Sequence, residues 1–207
     1  MGRPSRYDEA GILAGAADVS ARFGPQKLTI AAVARRAGIP VGSIYHRYSS
    51  RDEILGAVWL ELVEAFQARF LAHLESPDAV EAGLAAVRHV CGWVRRHPRE
   101  ARLMLLHRRE DFASARWPAG YRRRSEALAR RADASLKAYA RRLSGRAGAA
   151  EVRRVRFALV DLPTAALKHD IEAGEPASAG VEAMLLDACA HALQGAARGR
   201  GRKRIGS

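Results

Sequence analysis

Cysteine is scarce: Cys91 and Cys189 stand far apart, each in an apolar helical context with no second Cys or His at metal-ligand spacing. They read as buried, reduced thiols, with a redox sensor as the alternative. No apolar run approaches about 18 residues, so no membrane span is predicted. The first residues, Met1-Gly2-Arg3-Pro4-Ser5-Arg6-Tyr7-Asp8, lack the apolar core of a signal peptide, which predicts a cytoplasmic protein. There is no Gly-rich phosphate loop, no H-E-x-x-H, no G-x-S-x-G and no paired carboxylates in a plausible cleft. An enzyme is therefore not expected, nor a cofactor, nor a metal. His107 beside Glu110 and Asp111 reads as a solvated group on a charged loop rather than a metal ligand or proton shuttle. β-alternation is missing throughout, so the fold class predicted is all-α, while 48% hydrophobic residues exclude wholesale disorder.

Lysine is also rare, 4 residues against 31 arginines. The net charge of +13 is unevenly placed: +3 over residues 1–55, +10 over 115–156, −5 over 157–195 and +5 over 196–207. Most of the excess can raise the encounter rate with nucleic acid through its long-range field but names no site.

The informative segment is Thr29–Leu55, T-I-A-A-V-A-R-R-A-G-I-P-V-G-S-I-Y-H-R-Y-S-S-R-D-E-I-L. Thr29 is placed to cap a helix whose Ile30, Val33, Ala34 and Ala37 recur at inward spacing. Gly38 falls where the chain reverses and a positive φ is expected. Ile39 re-enters the core, and Pro40 suits the first turn of a second helix, predicted over 40–48 with Ile44 as its anchor. Val41, Gly42, Ser43, Tyr45, His46 and Arg47 are left for the outer face or its flanks. Gly42 permits close backbone approach; Ser43, Tyr45, His46 and Arg47 can bond phosphates or base edges. Ser50-Arg51-Asp52-Glu53 fits a capping box that starts a third helix, with Arg51 at its positive end. This is the pattern of a helix-turn-helix that lays one helix in the DNA major groove.

Phe23-Gly24, Thr29, Ala34…Ala37-Gly38-Ile39, Gly42, Ile44-Tyr45, Tyr48, Arg51 and Ile54-Leu55 together resemble the DNA-binding domain of the tetracycline-repressor (TetR) family of transcriptional regulators. The resemblance is motif-level over residues 7–55 and architectural beyond. It implies phosphate contacts at Thr29, Tyr45 and Arg51, and groove-facing positions at Val41, Gly42, Ser43 and His46. Three departures stand out. Pro40 replaces a frequent capping Ser, Arg47 a frequent His or Tyr, and Val41 limits base reading there to apolar contact such as a thymine methyl.

The remaining chain reads as further helices, about nine in all. They are expected over 7–23, 51–74, from Asp78 to His97, in a short piece from Pro98, over 119–144 and 149–173, and over 179–195. A polar, irregular connection is expected from Arg108 to Pro118. The long 51–74 helix is shared by reading head and core and is suited to act as a lever. Pro163 should kink its helix. Val152, Val155, Leu159, Leu162 and Ala166, with Val181, Met184, Leu185, Ala188 and Ala192, form two stripes that serve either the chain's own core or a four-helix homodimer interface, the latter being favoured. The domains predicted are 1–55 for DNA binding, 56–195 for effector binding and dimerisation, and 196–207 as a basic, disordered tail. An effector is implied by the resemblance. Trp59, Phe66, His89, Trp93, Met104, His107, Phe112, Trp117 and Tyr121 are its candidate contacts, against the simpler reading of plain core. The expectation is a homodimeric repressor released from palindromic double-stranded DNA by a small, mostly apolar ligand. The alternative is a helical small-molecule-binding protein that binds nucleic acid only non-specifically.

Overall fold

Ala-rich stretches broken by charges fold as helix after helix, several opened by a capping side chain such as Thr29, Ser50 or Asp78. The computed structural model describes residues 9–201, and among them there is no strand. Helix α1 (Glu9–Phe23) ends at Gly24, whose φ of 85° lets the chain turn into a 3₁₀ turn at Pro25–Lys27. Helix α2 (Ile30–Ala37) and helix α3 (Val41–Tyr45) come next, then the long α4 (Arg51–His73). Helix α5 (Ala79–Arg96) is capped by Asp78, whose Oδ1 accepts from the Val80 and Glu81 amides at 2.9 and 3.0 Å. Helices α6 (Pro98–Leu106), α7 (Arg109–Phe112) and α8 (Ala119–Ser144) lead to α9 (Ala149–Arg156), a π turn (Phe157–Asp161) and α10 (Leu162–Ala173). Helix α11 (Ala179–Gly201) closes the series.

Four expectations change. Helix α3 is shorter than the 40–48 read from sequence: Pro40 is extended at ψ 139° and serves as N-cap, and Tyr48 leaves the helix to enter the core at 2% exposure. The connection thought irregular from Arg108 to Pro118 contains α7, where the Asp111 carboxylate accepts from the Arg108 amide at 2.7 Å and Phe112 and Trp117 are buried. Pro163 does not sit in a plain α-helix. The preceding turn widens to the π form, with the Leu162 amide bonding Phe157 O, so the ring occupies the first turn of α10. Lastly, α11 continues through Gly201 rather than stopping at Gly195, so residues 196–201 of the predicted disordered tail are helical; residues 202–207 lie outside the described residues.

The chain divides into two compact units. The first joins the described residues up to Glu64 to Arg99–Glu126; the second joins Ala65–Pro98 to the described residues from Ala127 onward. The core of the first is Ile12, Leu13, Ala16, Val33, Ile44, Ile54, Leu55 and Phe112. In the second, Tyr139 is 1% exposed and donates its hydroxyl to Ala79 O at 2.6 Å. A Cβ on Gly83 would collide with that hydroxyl and with Leu193, so only glycine lets α5, α8 and α11 pack this closely. Cys91 and Cys189 are buried here, free, with both thiols pushed up to about 11 chiefly by burial. Among the described residues no helix is long and apolar enough to cross a membrane.

Candidate nucleic-acid interface

The α2–turn–α3 geometry arises from local chemistry. Thr29 Oγ1 accepts from the Ala32 amide at 3.1 Å, which starts α2. Gly38 ends it in the left-handed region at φ 67°, its neighbour Ile39 donating to Ala34 O at 3.0 Å. Val33 and Ile44 are fully buried, and Gly15 lets α1 approach Ala37 with no side chain between. These anchors turn the rest of α3 outward. Val41 is 43% and Tyr45 55% exposed, unusual for large apolar and aromatic groups, and His46 and Gly42 are exposed beside them. Space around Gly42 is open to a 4 Å radius about its missing side chain. Ser43 and Arg47 are half-buried, and Thr29 is exposed.

Arg51 makes bonds within the chain beyond its predicted phosphate contact. Its Nε donates to Leu28 O at 2.7 Å, and its Nη2 to Pro25 O and Gln26 O at 2.8 and 3.0 Å. Nη1 lies 3.3 Å from Asp52 Oδ1. The guanidinium fork thus ties the first turn of α4 to the carbonyls of the 3₁₀ turn ahead of α2, a bracing role, while the side chain stays 37% exposed. The capping box is also shifted by one. Ser50 Oγ accepts from the Glu53 amide at 3.2 Å as expected, but Glu53 Oε2 reaches back to Ser49, accepting from its amide and hydroxyl at 2.7 Å each.

One feature of this unit escaped the sequence reading. Asp18 is 4% exposed and carries three arginines: Arg36 of α2 bonds Oδ2 through Nε, Arg22 of α1 lies 3.4 Å from Oδ2, and Arg99 of α6 lies 3.2 Å from Oδ1. The Arg36 hydrogen bond holds the Asp18 carboxyl below its ordinary range, against the opposing effect of burial. A lone acid between Ala17 and Val19, in a run that is otherwise mostly buried, was the available signal. Tyr48 is likewise committed inward, donating to Glu9 Oε1 at 2.9 Å, and its phenol is pushed well up by burial.

The nine candidate effector contacts fall into two groups. Trp59, Met104, His107, Phe112, Trp117 and Tyr121 belong to the first unit. Trp59 stacks on Phe112 at 4.9 Å, Trp117 Nε1 donates to Phe112 O at 3.0 Å, and Gly56 leaves room for the Trp117 ring. Phe112 and Trp117 are plain core. Phe66, His89 and Trp93 belong to the second unit, where Phe66 meets both of the others, its ring centroid 6.0 Å from that of His89 and 5.0 Å from that of Trp93.

The two stripes read as a dimer seam are partly internal. Val155, Leu159 and Leu185 are 1–3% exposed within the chain's own core. Val152, Leu162, Ala166, Val181 and Ala192 are half-buried, Ala188 and Met184 exposed. Phe157, absent from the predicted set, is 51% exposed and Met184 65%. The 3-4-3-4 stripe assumed an unbroken α-helix; the π turn adds a residue and rotates the α9 part of the stripe relative to the α10 part.

Residues 12–58 match the family model described as "Bacterial regulatory proteins, tetR family". The match covers the N-terminal domain, so residues 12–58 carry a tetR-type DNA-binding domain. No curated protein sequence matches the chain. Among solved structures, it is similar to the fatty acid degradation regulator FadR of Bacillus halodurans, with a TM-score of 0.67 at 14% identity over 91% of this chain and 98% of that one. FadR of Bacillus subtilis, solved with stearoyl-CoA, gives 0.64 at 15% over 93% and 99%. AibR, solved with isovaleryl coenzyme A and operator DNA, gives 0.66 at 16% over 87% and 95%. At these identities the likeness concerns the fold alone.

Proposed function

We propose that this protein is a tetR-type regulator: a homodimeric, sequence-specific DNA-binding repressor released from a palindromic operator by a small, mostly apolar ligand. The observation that carries it is the outward face of α3, where Val41, Gly42, Tyr45 and His46 project while Ile44 is fully buried. Val41 meets a thymine methyl, Gly42 admits the DNA backbone, and Tyr45, His46 and Thr29 donate to phosphates or base edges. Arg51 braces the turn that leads into Thr29 through its carbonyl hydrogen bonds, and its exposed part faces the phosphates.

Dimerisation is supported by Phe157 and Met184, large apolar side chains left in water on the π turn between α9 and α10 and on α11. Two copies of α3 would enter successive major grooves roughly 34 Å apart. An acyl-bearing effector is supported by the stearoyl-CoA and isovaleryl coenzyme A present in two neighbours of this fold. Helix α4, which runs from the first unit into the second, is the element proposed to pass the signal.

Selection of bound sequences from random duplex DNA at about 150 mM salt, where non-specific phosphate binding is weak, tests the reading. An enriched palindrome with half-sites about one turn apart is expected. Sequence-independent binding with a steep salt slope would instead support a helical ligand-binding protein with a merely basic surface.

A further inference from the structure

Helices α4 and α5 face each other in the second unit with matched stripes. On α4 the stripe is Phe66, Arg69 and His73; on α5 it is His89, Trp93 and Arg96, with His97 beside it. Phe66 packs edge-on against Trp93 at 5.0 Å and tilts over His89 at 6.0 Å, while His73 lies 5.2 Å from His89 and His97 5.7 Å from Trp93. His89 is half-buried, yet its Nε2 is shut off from water and has no hydrogen-bond partner. A buried imidazole nitrogen left without a partner is destabilising, and a ligand atom bonded to it would remove that cost.

The ionisable groups around this nitrogen are all basic. His73 and Arg69 face it from α4, and Arg96 and His97 from α5 itself. Helices α10 and α11, which also pack on α5, add no charged group to that set. Neither Arg69 nor Arg96 pairs with a carboxylate among the described residues. Burial first, and then these basic neighbours, push the His89 imidazole down to about 4, so it is neutral at pH 7. An aromatic wall, a buried polar atom without a partner and a field of uncompensated positive charge describe a receptor for an anion.

We propose that this α4–α5 edge binds an anionic group, a carboxylate or phosphate, carried on an apolar body, with the anion accepting from His89 Nε2–H and the apolar part lying against Phe66 and Trp93. This deepens the effector site of the proposed regulator and rests on that reading for its consequence at DNA. An anion beside Nε2 favours the imidazolium, so at pH 7 each binding event draws a proton from solvent onto His89. No bond other than N–H forms.

Ligand binding to the full-length protein, measured by calorimetry without DNA, tests this. The probes are octanoate, octyl phosphate and the neutral octanamide, in two buffers of different ionisation enthalpy. One or both anions should bind at least about tenfold more tightly than octanamide, with uptake approaching one proton. Which anion binds more tightly identifies the head group. His89→Gln should abolish the uptake and most of the preference, while His73→Gln, which leaves Nε2 in place, keeps the uptake. In NMR of the histidine rings, the signal lost in His89→Gln should move to its protonated position on adding the anion. Equal affinity for octanamide, no saturable binding of any probe below about 1 mM, or unchanged uptake in a folded His89→Gln protein would overturn the proposal. Because DNA is absent, a failure here is distinct from a failure to select an operator.

Discussion

Asp18→Asn isolates a buried carboxylate on which α1, α2 and α6 converge. The substitution keeps size and removes charge, so Arg22, Arg36 and Arg99 lose a common partner that is 4% exposed. The arginines themselves are 46–61% exposed and regain water, which discounts the two longer pairs to a few tenths of a kcal/mol each. The Arg36 hydrogen bond, charged on both sides and ending on a buried acceptor, is worth roughly 1.5–3 kcal/mol. A loss of about 2 kcal/mol is expected at pH 7, or about 4–8 °C in Tm for a chain of this size. The sign of the pH dependence is fixed by the direction of the shift. The folded Asp18 carboxyl titrates below its ordinary 3.8, so the stabilisation is fully present above about pH 4 and fades as pH falls through the lowered folded value. Thermal melts of wild type and variant from pH 7 down to pH 3 provide the assay, read as the difference between the two at each pH. Equal melting at pH 7, or a gap that widens on acidification, would refute the reasoning.

Arg51→Ala should lower Tm by several degrees together with DNA affinity, because three carbonyls of residues 25–28 lose their donor, whereas Tyr45→Phe and His46→Ala should weaken operator binding and leave melting within about a degree. Titration of labelled operator alongside differential scanning fluorimetry separates the two behaviours. Gly83→Ala should destabilise by about 1–3 kcal/mol, since its Cβ meets the Tyr139 hydroxyl and Leu193; a melt within a degree of wild type would mean that this seam yields easily. Phe157→Glu combined with Met184→Glu should give a folded monomer in sedimentation velocity, and an unchanged sedimentation coefficient would remove these residues from the proposed seam.

Local chemistry was legible in the sequence. Thr29 and Asp78 cap by reaching two or three residues along the chain, and Gly38 turns because only its own φ matters. The all-helical fold and the inward anchors Val33 and Ile44 come from spacing alone. The features that escaped depend on contacts distant in sequence. Arg51 looks free at a helix start until the carbonyls of Pro25, Gln26 and Leu28 arrive from 23–26 residues away. Asp18 looks incidental until α2 and α6 bring Arg36 and Arg99 to it. Phe112 and Trp117 were read as part of a polar connection because the charges around them outnumber them, yet each is nearly fully buried. Helical spacing also assumes a constant 3.6 residues per turn, which the π turn breaks at the stripe used to infer the seam.

That π turn works as a phase joint. One extra residue between Phe157 and Asp161 separates α9 from α10 by about 100° of rotation, so the two halves of one continuous rod present differently phased faces to α11, on which both pack. Deleting a single residue there would restore a regular helix and swing Val155 out of the core by roughly a quarter turn. The face carrying Phe157 would turn with it, away from the direction set by α10. Substitution can change the side chains this rod displays, but a change of one residue in length changes where it looks.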